Sequence, residues 1–417
     1  MAIQAFYTGI TGLQNSSLGI DVVSNNIANI STVGYRGYTT EFTTMFEDAI
    51  ATGTVSGGSV GAGVRVQATS MIREQGSLAL SDRSSDLAIE GDGWFSIGNG
   101  KDQYYTRDGS FNFDANSDLV TADGFYVLGT FAKNISEDGV LTQKIDELPL
   151  GDIGAQERLR FPKTLTYPPE ATTNAKFLAN LGTGYEPVTV GAAVVDPKNN
   201  KNHLRLEFVK NPTQVLPGSQ YTVTATTQSL DGKVIYDTKV GNITFNDSGA
   251  LTSNTLTSID NNGAAIAIDL GNGYNGITSI DLPVVSGSSI ADGTIGGDLA
   301  GYSINRNAEV IATFTNGEQS SVGKIAVYHF QNEQGLSRVT GTRFAETSNS
   351  GTARFYKDAK GNNINGAEVV NFRLETSNVQ LSQGLTELII LQRSYDANSK
   401  SVTTADQMMQ KALDMDA

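Results

Sequence analysis

The stretch DVVSNNIANISTVGYRG, residues 21–37, marks the place where a long helical pattern stops. Upstream of it, apolar residues recur at alternating steps of three and four, which is the spacing of one narrow seam along an α-helix. Asparagine side chains can bond to the carbonyls left unpaired at a helix end, and glycine lets the backbone reverse. The sequence therefore predicts an N-terminal helix with the seam Ile3, Phe6, Ile10, Leu13, Ile20 and Ile27, followed by a hinge at Asn25, Asn26, Asn29, Gly34 and Gly37.

The far end of the chain repeats this pattern in LSQGLTELIILQRSYDANSKSVTTADQMMQKALDM, residues 381–415. Both terminal segments contain glycine, serine or β-branched residues, so intrinsic propensity alone does not hold either helix. They need burial, either against each other on their own β-domain or against further copies of the chain. We predict a coiled-coil-like pair whose C-terminal seam is Leu381, Leu385, Leu388, Tyr395, Val402, Met409 and Leu413, with both seams acting as a subunit interface.

The interior consists of short alternating runs such as HLRLEFV, YTVTATT and KIAVYHF, separated by clusters of Gly, Asn, Asp and Ser. This is typical of antiparallel β-sheet domains. The predicted fold is a mainly β multi-domain protein with paired terminal helices. We expect the terminal helices at 1–30 and 378–417, an extended linker region at 31–70 and 345–377, an inner β-rich domain at 71–145 and 300–344, and an inserted outer β-rich domain at 146–299.

Composition limits the possible functions of the 417-residue chain. A formal net charge of −15 disfavours nucleic acid and anionic lipid as partners. The absence of cysteine excludes disulfides and thiolate chemistry. No apolar run is long enough to span a bilayer, and the first basic residue is Arg36, so a cleavable secretory signal is not expected. The protein should therefore stay in the cytosol or leave by a route that needs no such signal.

Sequence patterns for catalysis are weak. The two histidines, His203 and His329, lie far apart in strand-like runs. DANSD at 114–118 lacks the glycine and glutamate of a calcium loop and favours an Asx turn. The single tryptophan, Trp94, could form a sugar platform, but its strand context favours the core. We predict no enzyme activity, no catalytic residues, no cofactor and no metal.

Several long motifs carry a family resemblance. NNIANISTVGYRGYTTEF (25–42), GVRVQATSMIREQGSLALSDRSSDLAIEGDGWFSI (63–97) and YYTRDGSFNFDANSDLVTADGFYVLG (104–129) resemble the rod and hook proteins of the bacterial flagellum. The segment from Glu375 to Met415, with Gln392, Arg393, Tyr395 and Asn398, resembles the family's C-terminal helix. These motifs occur in the family's order over about the first 130 and last 120 residues, which makes the match far more specific than one short motif.

The resemblance implies a structural subunit that is exported unfolded through the flagellar secretion channel and polymerises with many copies of itself. GEQSSVGKIAVYHFQNEQGLSRVTGTRFAETSNSG, residues 317–351, favours a subunit of the hook, a flexible curved tube that transmits motor torque from rod to filament. The terminal helices would line the tube, with the β-domains outside. Implied partners are the distal rod, hook cap and hook-filament junction proteins and the export apparatus, at an extracellular location. The alternatives are a distal rod subunit, or a secreted β-rich adhesin or carbohydrate-binding module.

Overall fold

The structure is a computed structural model that describes residues 2–46, 61–213 and 218–414. It has a helix at each end, α1 (Ala2–Ala28) and α2 (Leu381–Asp414), so the predicted mainly β architecture with helical ends is confirmed. Short 3-10 helices lie at Ile153–Ala155 and Glu333–Gly335. The strands, in chain order, are β1 (Tyr38–Phe46), β2 (Gly61–Met71), β3 (Leu78–Leu80), β4 (Leu87–Glu90), β5 (Trp94–Gly98), β6 (Gln103–Thr106), β7 (Phe111–Phe113), β8 (Leu119–Thr121), β9 (Tyr126–Phe131), β10 (Glu157–Arg158), β11 (Thr166–Tyr167), β12 (Asn174–Asn180), β13 (Val188–Val195), β14 (Lys201–Lys210), β15 (Ser219–Ser229), β16 (Ile235–Phe245), β17 (Leu251–Asn254), β18 (Ser258–Asn261), β19 (Ala264–Asp269), β20 (Gly271–Asn272), β21 (Asn275–Thr278), β22 (Val285–Ala291), β23 (Gly297–Ile304), β24 (Glu309–Phe314), β25 (Gln319–Ile325), β26 (Val327–Tyr328), β27 (Ser337–Thr340), β28 (Arg343–Ala345), β29 (Tyr356–Lys357), β30 (Asn363–Ile364), β31 (Glu368–Asn371) and β32 (Arg373–Glu375).

The axial part of the molecule is an antiparallel pair of α1 and α2, with the β1–β2 hairpin lying along α1. The Asn15 side-chain amide donates to the Val64 carbonyl and so ties the hairpin to the helix. Strands β1 and β2 pair from Tyr38 opposite Met71 onwards, so this part of the predicted 31–70 linker is extended but packed against α1. None of the described helices is both long and apolar enough to cross a bilayer.

The inner unit is built on a 13-stranded sheet with the central path β11-β23-β24-β25-β9-β5-β6-β28-β27. Large aromatic side chains, among them Trp94, Phe95 and Phe111, are fully buried and form the centre of its core. The aromatic pairs pack edge to face, which is a preferred geometry for such rings.

Two predicted domain boundaries need correction. The sequence places residues 146–167 in the outer domain and 345–377 in a linker, but both segments pack into the inner core. Leu159 is fully buried there because its backbone N–H donates to the Val127 carbonyl at 3.1 Å and aligns β10 with β9. Val369 is buried in the same core because β31 pairs with β4. The chain leaves the inner unit only after Tyr167, where Pro168 and Pro169 follow.

The outer unit, formed by β12–β22, packs a five-stranded antiparallel sheet (β13–β17) against a six-stranded sheet around one core. The alternating sequence of strand β15 explains this packing, because successive side chains point to opposite faces of a sheet. Tyr221, Val223 and Ala225 are buried in the core, and the threonines between them are not. The six-stranded sheet departs from the purely antiparallel prediction, because β12 runs parallel to β19 and β21.

Candidate assembly interface

The most buried line of α1 is made of small side chains. Its members recur at steps of three and four, the spacing of a helix seam: Gly9, Gly12, Ser16, Gly19, Val23 and Asn26. The predicted seam lies one residue further along, and its members Phe6, Ile10, Leu13, Ile20 and Ile27 are half-buried beside that line. Ile3 belongs to α1, but its side chain lies outside the described residues.

These glycines let α2 approach closely. A Cβ on Gly12 would lie 2.5 Å from Asn398 Nδ2, and a Cβ on Gly9 would lie 2.6 Å from Val402 Cγ2. Farther along the pair, Gly19 faces Leu391, at about 3.0 Å from an added Cβ. From the sequence alone, these glycines are expected only to weaken α1. Their own three-and-four spacing was the signal that they form the contact line.

The predicted seam of α2 divides into two groups. Leu388, Val402 and Met409 are half-buried, and the exposed members are Leu381, Leu385, Tyr395 and Leu413. Two neighbours outside the predicted seam are also exposed, Ile389 by 57% and Ile390 by 62%. Residues 381–391 thus expose apolar side chains on the part of α2 that is turned away from α1, interrupted by Ser382, Gln383 and Thr386. A single copy of the chain covers only the side that faces α1.

The predicted hinge lies where α1 meets the inner unit. Asn26 is buried, and its side chain donates to the Tyr38 carbonyl at 2.6 Å and accepts from the Tyr38 N–H at 3.0 Å. The Asn29 amide donates to the Asn25 carbonyl at 2.9 Å, which satisfies a carbonyl at the helix end. Gly34 adopts φ +66°, and its N–H donates to the Glu375 carbonyl at 2.8 Å.

A buried ionic triad reinforces this joint. Glu375 binds Arg36 at 3.0 Å through Oε1 and Arg107 at 3.2 Å through Oε2. The three side chains are 2%, 4% and 1% exposed, respectively. Burial lowers the pKa of the Arg107 guanidinium, and the Glu375 carboxylate partly opposes that shift. The Gly76 N–H also donates to Glu375 Oε1, at 3.1 Å. No local sequence pattern links three residues so far apart in the chain, so the sequence does not predict this triad.

Residues 31–37 are therefore a packed joint in the structure and not a free linker. Gly37 is buried, and its N–H donates to Asn378 Oδ1 at 2.8 Å. A Cβ on Gly34 would lie 2.3 Å from the Asp108 backbone nitrogen, so the chain passes directly against the inner unit there. A hinge at Asn25, Asn26, Asn29, Gly34 and Gly37 stays a prediction, now for residues that make many hydrogen bonds.

The other candidate residues occupy structural positions. His329 is buried, which lowers its pKa, and its Nε2 contacts the Asn365 carbonyl. Trp94 is fully buried, and its Nε1–H donates to Glu333 Oε1 at 3.1 Å. Asp114 Oδ1 accepts from the backbone N–H of Asn116 and of Asp118, as in an Asx turn. His203 is half-buried on β14. Within the described ranges, no group of three or more His, Asp or Glu side chains could hold a metal ion.

Comparison with protein families gives three matches in chain order. Residues 6–36 match the family described as "Flagella basal body rod protein". Residues 88–163 match "Flagellar hook protein FlgE/F/G D1 domain", which extends past the expected inner boundary at 145. Residues 371–415 match "Flagellar basal body rod FlgEFG protein C-terminal".

Curated relatives match over nearly the whole chain. The flagellar hook protein FlgE of Borreliella burgdorferi is 27% identical, with 98% of each chain covered. The FlgE of Salmonella typhimurium is 27% identical, covering 97% of this chain and 98% of the relative. Among solved structures, the Helicobacter pylori flagellar hook protein FlgE2 aligns with a TM-score of 0.55 at 15% identity, covering 72% of this chain and all of that one. That likeness concerns the fold.

Proposed function

The chain belongs to the flagellar rod and hook protein family as a structural hook subunit, and we propose that it polymerises with copies of itself through its paired terminal helices. The contact would combine the predicted seams with the exposed face of α2. The observation that carries this proposal lies in the N-terminal third of α2, where a single copy leaves four large apolar side chains exposed: Leu381, Leu385, Ile389 and Ile390. Burying each large apolar side chain there would contribute about 1.5 to 3 kcal/mol.

The proposal extends to the setting of the polymer. As a hook subunit the chain acts in the flagellum outside the cell body, in continuity with the basal body. We propose that it is exported without a cleavable signal peptide and passes motor torque along a curved tube. Its partners would be the distal rod, hook cap and hook-filament junction proteins and the flagellar export apparatus. Neither the distal rod role nor the adhesin role is favoured by the comparisons.

Ile389→Asp tests the helix contact. Ile389 is exposed in the single chain, so the substitution should leave the folded units intact. In a polymer it would bury an unpaired carboxylate, and we expect the concentration needed for assembly to rise by about 100-fold. The measurement is salt-induced assembly followed by electron microscopy and sedimentation.

Thr403→Asp is the matched control, because it places the same charge at an exposed polar position in the C-terminal half of α2. It should assemble within a few-fold of the unsubstituted chain. Equal assembly of both variants would contradict the helix contact.

A further inference from the structure

Phe372 is held in an uncommon backbone conformation on the surface of the inner unit. Its φ is +55°, which is a rare outlier for a bulky residue, and its side chain is 43% exposed. Such conformations cost of order 1 to 3 kcal/mol and cluster at functional positions. A phenylalanine that is strained and also turned away from the core is not explained by packing within one copy.

The strand pairing on each side of Phe372 fixes its position. β31 ends at Asn371, which pairs with Leu87, and β32 begins at Arg373, which pairs with Leu80. The Phe372 carbonyl accepts from the Ser81 N–H at 2.8 Å. Phe372 is thus the residue at which the chain crosses between two partner strands. The crossing thus exposes an aromatic side chain, and a basic residue, Arg373, follows it in the chain.

A pocket lies at the other end of the β31–β4 strand pair, where Glu368 pairs with Glu90. The cavity measures about 440 Å³, and Ile364 and Ala367 supply its apolar part. Glu90, Glu147 and Glu368 form an acidic rim. Its one lysine is Lys324, whose Nζ lies 3.4 Å from the buried carboxylate of Glu309. Glu309 therefore offsets the charge of Lys324. Glu368 lies 3.9 Å from the exposed Arg306 guanidinium, so Glu90 and Glu147 are the rim carboxylates that have no ion pair among the described residues.

We propose that Phe372 and Arg373 of one copy dock into this pocket of the next copy, a contact that rests on the proposed polymerisation. The cavity lies within the size range of sites that enclose an apolar group. Arg373 would then meet the carboxylates of the rim. An aromatic side chain beside an arginine is the composition that dominates interface energetics.

The placement also suits a polymer. The Phe372–Arg373 projection and the pocket are different surfaces of one copy, so their contact is heterologous. A heterologous contact that does not close into a ring produces an open helical assembly. Each copy would offer one free projection and one free pocket to its two neighbours. This places a second assembly contact on the inner unit, away from the terminal helices.

A double cysteine variant, Phe372→Cys with Ala367→Cys, tests the contact in the full chain. The chain has no native cysteine, so these thiols are the only ones present. Within one copy, five residues of extended chain separate the two positions by about 16 Å. That is beyond the roughly 7 Å limit for a disulfide, so any bond between them joins two copies. We expect oxidation of assembled polymer to give a ladder of covalent oligomers on a non-reducing gel.

The control pairs Phe372→Cys with Leu230→Cys, which is more exposed than Ala367 but lies on the outer unit. It should give no ladder. A polymer that forms without the Phe372–Ala367 ladder, or one that gives equal ladders for both pairs, overturns the docking contact alone. Failure of the unsubstituted chain to polymerise under any condition overturns the docking contact together with the proposed function.

Charge reversal gives an independent measurement. Glu90→Arg should raise the concentration needed for assembly by about tenfold, since an interfacial charge pair is replaced by repulsion. Adding Arg373→Glu should restore assembly towards the original value. A double variant that assembles worse than either single variant contradicts the pairing.

Discussion

The two connections between the parts of this molecule are built differently. The joint between the helix pair and the inner unit buries the Arg36–Glu375–Arg107 triad. The crossing between the inner and outer units is two partly exposed segments, 168–172 and 292–297, in which Thr172 and Gly297 are buried. Their shared backbone hydrogen bonds join Glu170 and Thr294, at 2.8 and 2.9 Å. The exposed Asp292 carboxylate adds hydrogen bonds from the Thr173 and Asn174 N–H groups, at 2.8 and 3.0 Å. Opening a buried ionic triad costs more than opening hydrogen bonds between partly exposed groups.

This difference bears on where a curved tube bends. A hinge at residues 25–37 would have to break buried side-chain contacts to move. A rotation at the outer crossing would break hydrogen bonds, but it would break no ion pair among the described residues. We therefore expect the outer units to shift against the inner units more readily than the helix pair does.

Glu375→Ala should have the largest effect on the inner joint. It leaves two buried guanidinium groups without their carboxylate, and breaking a buried pair in this way costs about 3 to 5 kcal/mol. The readout is hydrogen exchange at the Gly34 and Gly37 amides, which report local opening of the joint. Glu170→Ala at the outer crossing is the control and should cost about 1 kcal/mol, because its exposed carboxylate loses one hydrogen bond, from the Tyr167 hydroxyl at 3.0 Å. Similar losses for both variants would remove the distinction between the two connections.

Gly34→Ala should come next in size. The alanine must adopt φ +66° and would place its Cβ 2.3 Å from the Asp108 backbone nitrogen. Positive φ and a backbone contact together should destabilise the joint by about 2 to 3 kcal/mol, seen as a lower thermal midpoint. Gly100→Ala separates the two causes, because Gly100 has φ +90° with open space around it. Its cost should be about 1 kcal/mol. A cost for Gly34→Ala no larger than that would mean that the backbone contact is not tight.

Gly12→Ala sets helix propensity against packing. The substitution favours an isolated helix by about 1 kcal/mol, but its Cβ would meet the Asn398 side chain at 2.5 Å. We expect α1 to gain intrinsic helicity while its pairing with α2 weakens, which hydrogen exchange in α1 would report. Ser17→Ala, on the exposed face of the same helix, should only stabilise it. Adding Asn398→Ala should restore pairing in the Gly12→Ala chain, with a coupling of about 0.5 kcal/mol or more. Purely additive effects would contradict direct packing.

These residues also show what a sequence can and cannot predict here. The helices and the β-rich interior follow from local periodicity and turn chemistry, which act over a few residues. The observed contact line of α1 lies one position away from the predicted seam, because glycine carries no hydrophobic signal. Only the geometry of the helix pair shows that the absence of a Cβ lets α2 approach. The Arg36–Glu375–Arg107 triad and the Phe372 crossing depend on which distant strands meet, and tertiary structure alone decides that.

Asp292→Asn should have the smallest effect, and it acts at the outer crossing. Asp292 accepts from the backbone N–H groups of Thr173 and Asn174 at 2.8 and 3.0 Å. Burial raises the pKa of Asp292, but the hydrogen bonds from Asn174 and Thr173 outweigh it, so the pKa lies below its usual 3.8. The folded state thus favours the ionised carboxylate of Asp292 more than the unfolded state does. Its contribution is complete above about pH 4 and is lost as the pH falls through the folded-state pKa. Hydrogen exchange at the Thr173 and Asn174 amides should therefore show opening that increases as the pH falls. Asp292→Asn should reduce this pH dependence, and the exposed control Asp298→Asn should not. An unchanged pH dependence in Asp292→Asn would show that this carboxylate does not fasten the crossing.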